Sequence, residues 1–364
     1  MTTRRFGRRA AAALGLVVLA TGALTGSAHA DPPPNGVRHG AGAAITEQVM
    51  QGISEASGGL LTSWHSFGPD PIVVKGITVN RPSGSVEGVN ALRRSLGVAA
   101  PVPPGDQHPV PVGSDVFDFA RSSSGPGTNA SLTGQLVYVP FALDGVTTAT
   151  GPTSAINADQ FTLDQLRTLY RDGASVTVGG TTYTPDVNIT LLVPQSGSET
   201  RQLWAEQMQI NATTLPAWVH DSIGGVPFQE HDGSLLGADP NAIGPYSIAQ
   251  WIAQGNGLPG VPDRRNGADL HNNNGVAPYT EATPGNEVFN SAFPITRQLY
   301  NVMSYNQVRT GGTDSLLRIA FNGASSRVCT ATTNGQPTIT LHGFGSLGSG
   351  CGAILETLRA FPNG

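Results

Sequence analysis

The chain has 364 residues, with 47 Gly, 27 Pro and only 12% charged residues. That length fits two domains or one large one and can bury a core without metals or a disulfide framework. A net charge of −5, a single lysine (Lys75) and no basic tract argue against nucleic-acid binding.

Residues 1–30 read as a secretory signal. Arg4, Arg5, Arg8 and Arg9 precede the apolar run Ala10 to Ala20, and Ala28-His29-Ala30 is a small-x-small cleavage site. The run is too short for a membrane span, and no cysteine near the site could take a lipid anchor. Arg4-Arg5 suits Sec and twin-arginine export alike. Cleavage after Ala30 leaves a secreted, extracellular chain of net charge −9. Residues 31–35 form a Pro-rich spacer.

Beyond the spacer, strand-like and helix-like segments alternate, the pattern of an α/β protein. Ile45, Val49 and Ile53 recur every four residues, one apolar stripe of a helix. Residues 71–74 and 76–79 read as strands, and Val89, Leu92 and Leu96 share a helical face. Residues 136–141 read as a buried strand. Thr162 and Gln165 form a capping box ahead of Leu166 and Leu169. Residues 176–183, broken by Gly179-Gly180, read as a hairpin. A strand over 188–193 leads to a helix over 199–210 with Trp204 inward. Residues 255–290 read as a long surface loop. A strand over 338–341 and a helix over 353–359 close the chain.

Three loops end in helix starts: Gly40–Ala44, Arg81–Ser85 and Ser196–Thr200. Gly- and Ser-rich turns at helix N-termini expose unpaired N–H groups beside a partial positive charge, which suits an anion even in an acidic protein. Ser83, Ser85, Ser122, Ser198 and Thr200 are the candidate donors and Arg121 the charge partner. The same residues also serve as ordinary caps and turns.

Cys329 and Cys351 are the only cysteines. Between them a disulfide is the simplest reading in an oxidising compartment, with two free thiols or half of a metal site as alternatives. No nucleophile elbow or His-Glu-x-x-His motif occurs in the required context, so no enzyme, metal or cofactor is expected. His231, between Glu230 and Asp232, reads as a polar turn.

The ordered segments resemble type II periplasmic-binding-protein-like domains, in particular the phosphate-binding protein of bacterial ABC uptake systems and its secreted actinobacterial relatives. The resemblance runs through Gly40-Ala41-Gly42, Gly84-Ser85 with Gly88, Asp118–Ser123, Tyr138–Val146, Leu163–Tyr170, Ser196–Arg201, Asp239–Ser247 and Pro294–Tyr300. It implies a two-lobed α/β fold, with mixed sheets, flanking helices and a two-strand hinge. Lobe one would comprise residues 36–140 and 296–364, and lobe two residues 141–295. It also implies non-catalytic capture of a small anionic or polar solute, phosphate or similar, by a monomer without stable membrane insertion, with an ABC permease as partner. The sequence departs from those relatives at Ala43 and Ala44, where they carry a hydroxyl. It departs again at Pro194, at Ser123 and at Glu199, which adds a carboxylate beside the proposed anion. A ligand-free extracellular or cell-wall-associated interaction protein on the same fold is the alternative reading.

Overall fold

The computed structural model describes residue 31, residues 35–281 and residues 287–361. The signal reading over 1–30 and most of the spacer lie outside the described residues.

The fold is mixed α/β. Its main sheet is built from two parallel trios joined by a long antiparallel pair. The first trio is β1 (Arg38–Gly42), β2 (Leu61–Ser63) and β5 (Phe119–Ser122). In it β1 is central and pairs parallel with both neighbours. The second trio is β9 (Thr190–Leu192), β10 (Val219–His220) and β11 (Ala242–Ser247), with β9 central and again parallel. Between them run β6 (Leu136–Thr150) and β12 (Thr296–Ser304). Residues 136–145 of β6 pair with β12, and residues 146–150 pair with β11. One strand thus passes from one half of the molecule into the other.

Each half has its own apolar interior. Val146, Trp204, Tyr246 and Ile295 belong to one large cluster drawn from residues 146–295. Val49, Phe119, Phe141 and Phe321 belong to a second cluster, from segments on either side of that span except for Ala249. Burial of this apolar surface, at roughly 25 cal/mol per Å², is the main stabilising term in both.

The local signals form the expected elements. Helix α1 (Glu47–Ala56) buries Val49 and Ile53. Strands β3 (Ile72–Val74) and β4 (Ile77–Val79) form a hairpin, as do β7 (Val176–Val178) and β8 (Thr181–Tyr183). Helix α2 (Ser85–Ser95) starts after Gly84, whose φ of 94° favours glycine. Gly88 lets α2 lie against β1, because a Cβ there would stand 2.6 Å from the Gly42 Cα. Both halves of the capping box form at α3 (Leu163–Arg167). Helix α4 (Glu199–Met208) buries Trp204 completely, and α5 (Ile248–Gly255) follows β11.

Two terminal segments differ from expectation. Residues 338–341 form a helical turn rather than a strand. Thr338 is fully buried, and its methyl lies where α1 approaches through Gly52. Four alternating residues cannot fix a period, and packing against α1 decides. Residues 353–359 do not form a helix. A short 3₁₀ turn spans Glu356–Leu358, and Arg359–Ala360 pair with the start of β6. The long loop at 255–290 also contributes structure, since Asp269–Leu270 pair with β6. Cys329 and Cys351 form a disulfide. No helix among the described residues is long and apolar enough to cross a membrane.

Candidate functional site

In a parallel trio the chain leaves each strand at the same end of the sheet, and loops gather there. Here β1 and β2 deliver the segments at 43–48 and 64–68. The other half delivers Gln195 after β9 and Gln229–His231 after the β10 region. These segments meet across a cleft of about 380 Å³, within the roughly 300–1,000 Å³ typical of small-molecule sites.

The anion-binding residues expected from sequence fall into two facing groups. Ser83, Ser85, Arg121 and Ser122 cluster at the ends of β1 and β5 and the start of α2. Ser198 and Thr200 open α4 on the opposite side. Glu199 joins the groups, because its Oε1 accepts the Ser85 N–H at 2.7 Å.

Several polar groups at these positions already bond within the chain, with the Ser85 and Thr200 hydroxyls acting there as acceptors. The Ser83 N–H donates to Glu87 Oε2 at 2.9 Å, and Ser85 Oγ accepts the Ser123 N–H at 2.9 Å. Ser122 Oγ donates to the Ser124 carbonyl at 2.7 Å. Ser198 Oγ caps α4 by accepting the Arg201 N–H and donates to Glu230 Oε2, both at 3.2 Å. Thr200 Oγ1 accepts from Arg297 at 2.9 Å.

Arg121 takes a different role from the one expected. It is fully buried, and its guanidinium donates to the carbonyls of Gly42, Ala43 and Trp64 and the hydroxyls of Ser63 and Ser66. All five N–H groups are therefore occupied. Burial pushes its pKa down to about 10, against the opposing pull of Glu47 and Glu199, so it remains a cation at neutral pH. It braces the loops after β1 and β2 and has no N–H left for a ligand. Arg201 is similarly engaged with the Pro194 and Ala212 carbonyls and Asp221.

A buried ion pair lies where β6 and β12 cross. Asp144 is fully buried and accepts from Arg297 at 2.9 Å and from Ser247 Oγ at 3.0 Å. Burial raises the Asp144 carboxyl, with Arg297 pulling against it. The same Arg297 reaches Thr200, so the crossing strands fix the first turn of α4.

The cleft wall itself is amide-rich. Gln48, Gln195, Gln229, Gln250 and Gln254 line it, with Glu47, Glu230, His65, His231 and Arg264. Glu47 is spent: it bonds His65 Nδ1 at 2.8 Å and accepts the Ser66 N–H at 2.5 Å. These bonds hold its carboxyl below the usual range even though burial pushes the other way. Gln250 donates to the Ile45 carbonyl at 3.1 Å, a contact between the halves, and Gln254 bonds the His231 carbonyl at 2.9 Å. By contrast, Gln48 Oε1 is buried without a partner among the described residues. Phe67 stands at the rim, 63% exposed.

Sequence reasoning missed most of this wall. Gln195 adjoins the Ser196–Thr200 loop, which gave a local signal. The other glutamines carry none, because single amides in separate segments have no spacing rule. His231, read as a polar turn, does lie in a turn, and that turn faces the cleft. Among the described residues, no group of three His, Cys, Asp or Glu side chains could hold a metal.

Neither a family model nor a curated protein matches the chain. Several solved structures are similar to it. An ABC-type phosphate transport receptor from Vibrio cholerae is 13% identical, with 73% of this chain and 86% of that one covered and a TM-score of 0.43. PstS from Borrelia burgdorferi is 14% identical, with 85% and 98% covered and a TM-score of 0.44. The reduced form of OxyR from N. meningitidis is 11% identical, with 85% and 98% covered and a TM-score of 0.38. At such identities and scores, the chemistry of this cleft rests on its own side chains.

Proposed function

We propose that this protein is an exported binding protein that captures a small, uncharged, hydroxyl-rich solute between two lobes, without catalysis. The observation that carries this reading is the amide-rich wall of the cleft, set against the helix starts beside it. The guanidiniums of Arg121 and Arg201 are engaged within the chain and the Ser85 N–H is taken by Glu199, whereas the Gln48 Oε1 on the wall is buried without a partner among the described residues. The lining carries two carboxylates, Glu47 (bonded to His65) and Glu230, against one guanidinium, Arg264, a balance that does not favour a free anion. Amides both donate and accept, which matches hydroxyl groups, and Phe67 offers an apolar face to a sugar ring. Solute entry would close the lobes about β6 and β12, a hinge of two crossing strands. The lobes would divide near residues 140 and 296. The disulfide fits the oxidising compartment that export implies. This reading replaces phosphate as the expected ligand and leaves an ABC permease as a partner to be tested.

The test is a thermal titration of the purified protein with neutral sugars and polyols, alongside phosphate and sulfate. A solute at about 100 times its dissociation constant stabilises the fold by about 2.7 kcal/mol, several degrees in melting temperature. A shift with a neutral polyol alone supports the reading. A shift with phosphate alone overturns it. No shift with any compound favours the ligand-free interaction protein, which the Glu199–Ser85 contact would also suit.

A further inference from the structure

Glu199 is the first residue of α4, and Ser85 is the first residue of α2. They lie 114 positions apart and in different halves of the molecule, yet the Glu199 carboxylate accepts the Ser85 N–H at 2.7 Å. The start of an 11-residue helix concentrates unpaired N–H groups and partial positive charge. The N-cap, Gly84, has no side chain to satisfy them. Beside this point Ser123 is only 3% exposed, and its Oγ has no hydrogen-bond partner among the described residues. Arg121 lies close enough for the Glu199 charge to act on it, but its N–H groups are all taken. The local field therefore favours a negative group, and the chain supplies one from the facing side. Arg297, anchored on Asp144, holds the adjacent Thr200 and so fixes where Glu199 is presented.

We propose that Glu199 sets specificity at the start of α2, beside the cleft: its tethered carboxylate takes the anion position there and so excludes free oxyanions. A group tethered within the same chain acts at an effective concentration of roughly millimolar or higher. A free oxyanion would have to displace it and would also meet its charge. The proposal rests on the reading of an uncharged solute, since it explains why free oxyanions are refused beside the cleft, but the Glu199 contact can be tested without any such solute.

The experiment compares the protein with Glu199→Ala and Glu199→Ser, using inorganic phosphate and sulfate as probes in thermal titration and calorimetry. Glu206→Ala is the control, because it removes the same charge from an exposed position of α4. The expected result is at least tenfold tighter phosphate or sulfate binding in a Glu199 variant, with the parent and Glu206→Ala unresponsive. The Ser variant serves if the Ala variant does not fold. Equal anion response in all four proteins, including none in any, overturns the proposal. So does a gain in Glu206→Ala equal to that in the Glu199 variants, because net charge alone would then explain it. If the Glu199 variants gain anion binding while no neutral polyol binds the parent, the proposed solute class fails and the role of Glu199 stands.

Discussion

The start of α2 and the glutamine-lined wall of the cleft lie close together and treat polar groups in opposite ways. At α2, Ser83, Ser85, Arg121 and Ser122 make hydrogen bonds within the chain, and Glu199 accepts the Ser85 N–H. On the wall, Gln48 keeps a buried acceptor without a partner. A buried polar group without a partner costs about 1–3 kcal/mol, so one left that way marks a place where another molecule can repay the loss. Residue type alone would have ranked the two regions the other way, because Ser, Thr and Arg at helix starts look more like a binding site than scattered glutamines. What distinguishes them is what meets the exposed groups: at α2 the chain itself supplies Glu199 to the Ser85 N–H, and on the wall the Gln48 acceptor is met by nothing among the described residues.

Mutations should separate the two regions by what they damage. The largest effect is expected at Arg121. Arg121→Leu strands three backbone carbonyls and two hydroxyls in the interior and should cost at least about 3 kcal/mol in denaturant unfolding. A loss below about 1 kcal/mol would mean that the guanidinium is not the brace described. Asp144→Asn should come next, at about 2–4 kcal/mol, because it leaves Arg297 buried without its counter-charge. It should also loosen the first turn of α4, visible as faster amide exchange at residues 199–202.

A third expectation concerns pH. His39 is buried, and its Nδ1 accepts from Trp64 Nε1 at 3.2 Å, which requires a neutral ring. Burial, with the nearby charge of Lys75, lowers its pKa from 6.5 to about 4. The folded state therefore binds fewer protons than the unfolded state between those values. This contribution to stability is complete above pH 6.5 and declines as pH falls toward 4. His39→Gln should flatten the unfolding free energy over that window, and an unchanged slope would exclude the assignment. The smallest effect on stability belongs to the wall. Gln48→Ala should not lower the unfolding free energy and should raise it by up to about 1 kcal/mol, because it removes an acceptor that has no partner among the described residues. It should still weaken binding of a neutral solute by about threefold to tenfold, the worth of one hydrogen bond. A large stability loss with unchanged affinity would reverse the comparison.

How much could be read from sequence depended on the range of the interaction. Thr162 and Gln165 announced α3 because both capping bonds close within four residues. The β7–β8 hairpin was visible in its two glycines, and the stripe of Val49 and Ile53 in its period. The start of β6 was legible as well, but its continuation to Thr150 was not. Asp144-Gly145 reads as a break in a strand. In the fold Asp144 is neutralised by Arg297 and bonded by Ser247, and Phe289 and Ile248 pack where a Cβ on Gly145 would lie. The partners that make this strand possible stand 103 and 153 positions away from Asp144.

The same boundary runs through the candidate site. The sequence by itself determined the α/β alternation, the helix starts that carry Ser85 and Ser198, and a cysteine pair able to close one loop, since each depends on period, capping or count. Only the tertiary structure decided that Arg121 is a buried brace, that Glu199 answers the Ser85 N–H, and that five glutamines share one wall. Those outcomes depend on which donor meets which acceptor across the fold, and hydrogen bonds between distant segments leave no periodic trace in the chain.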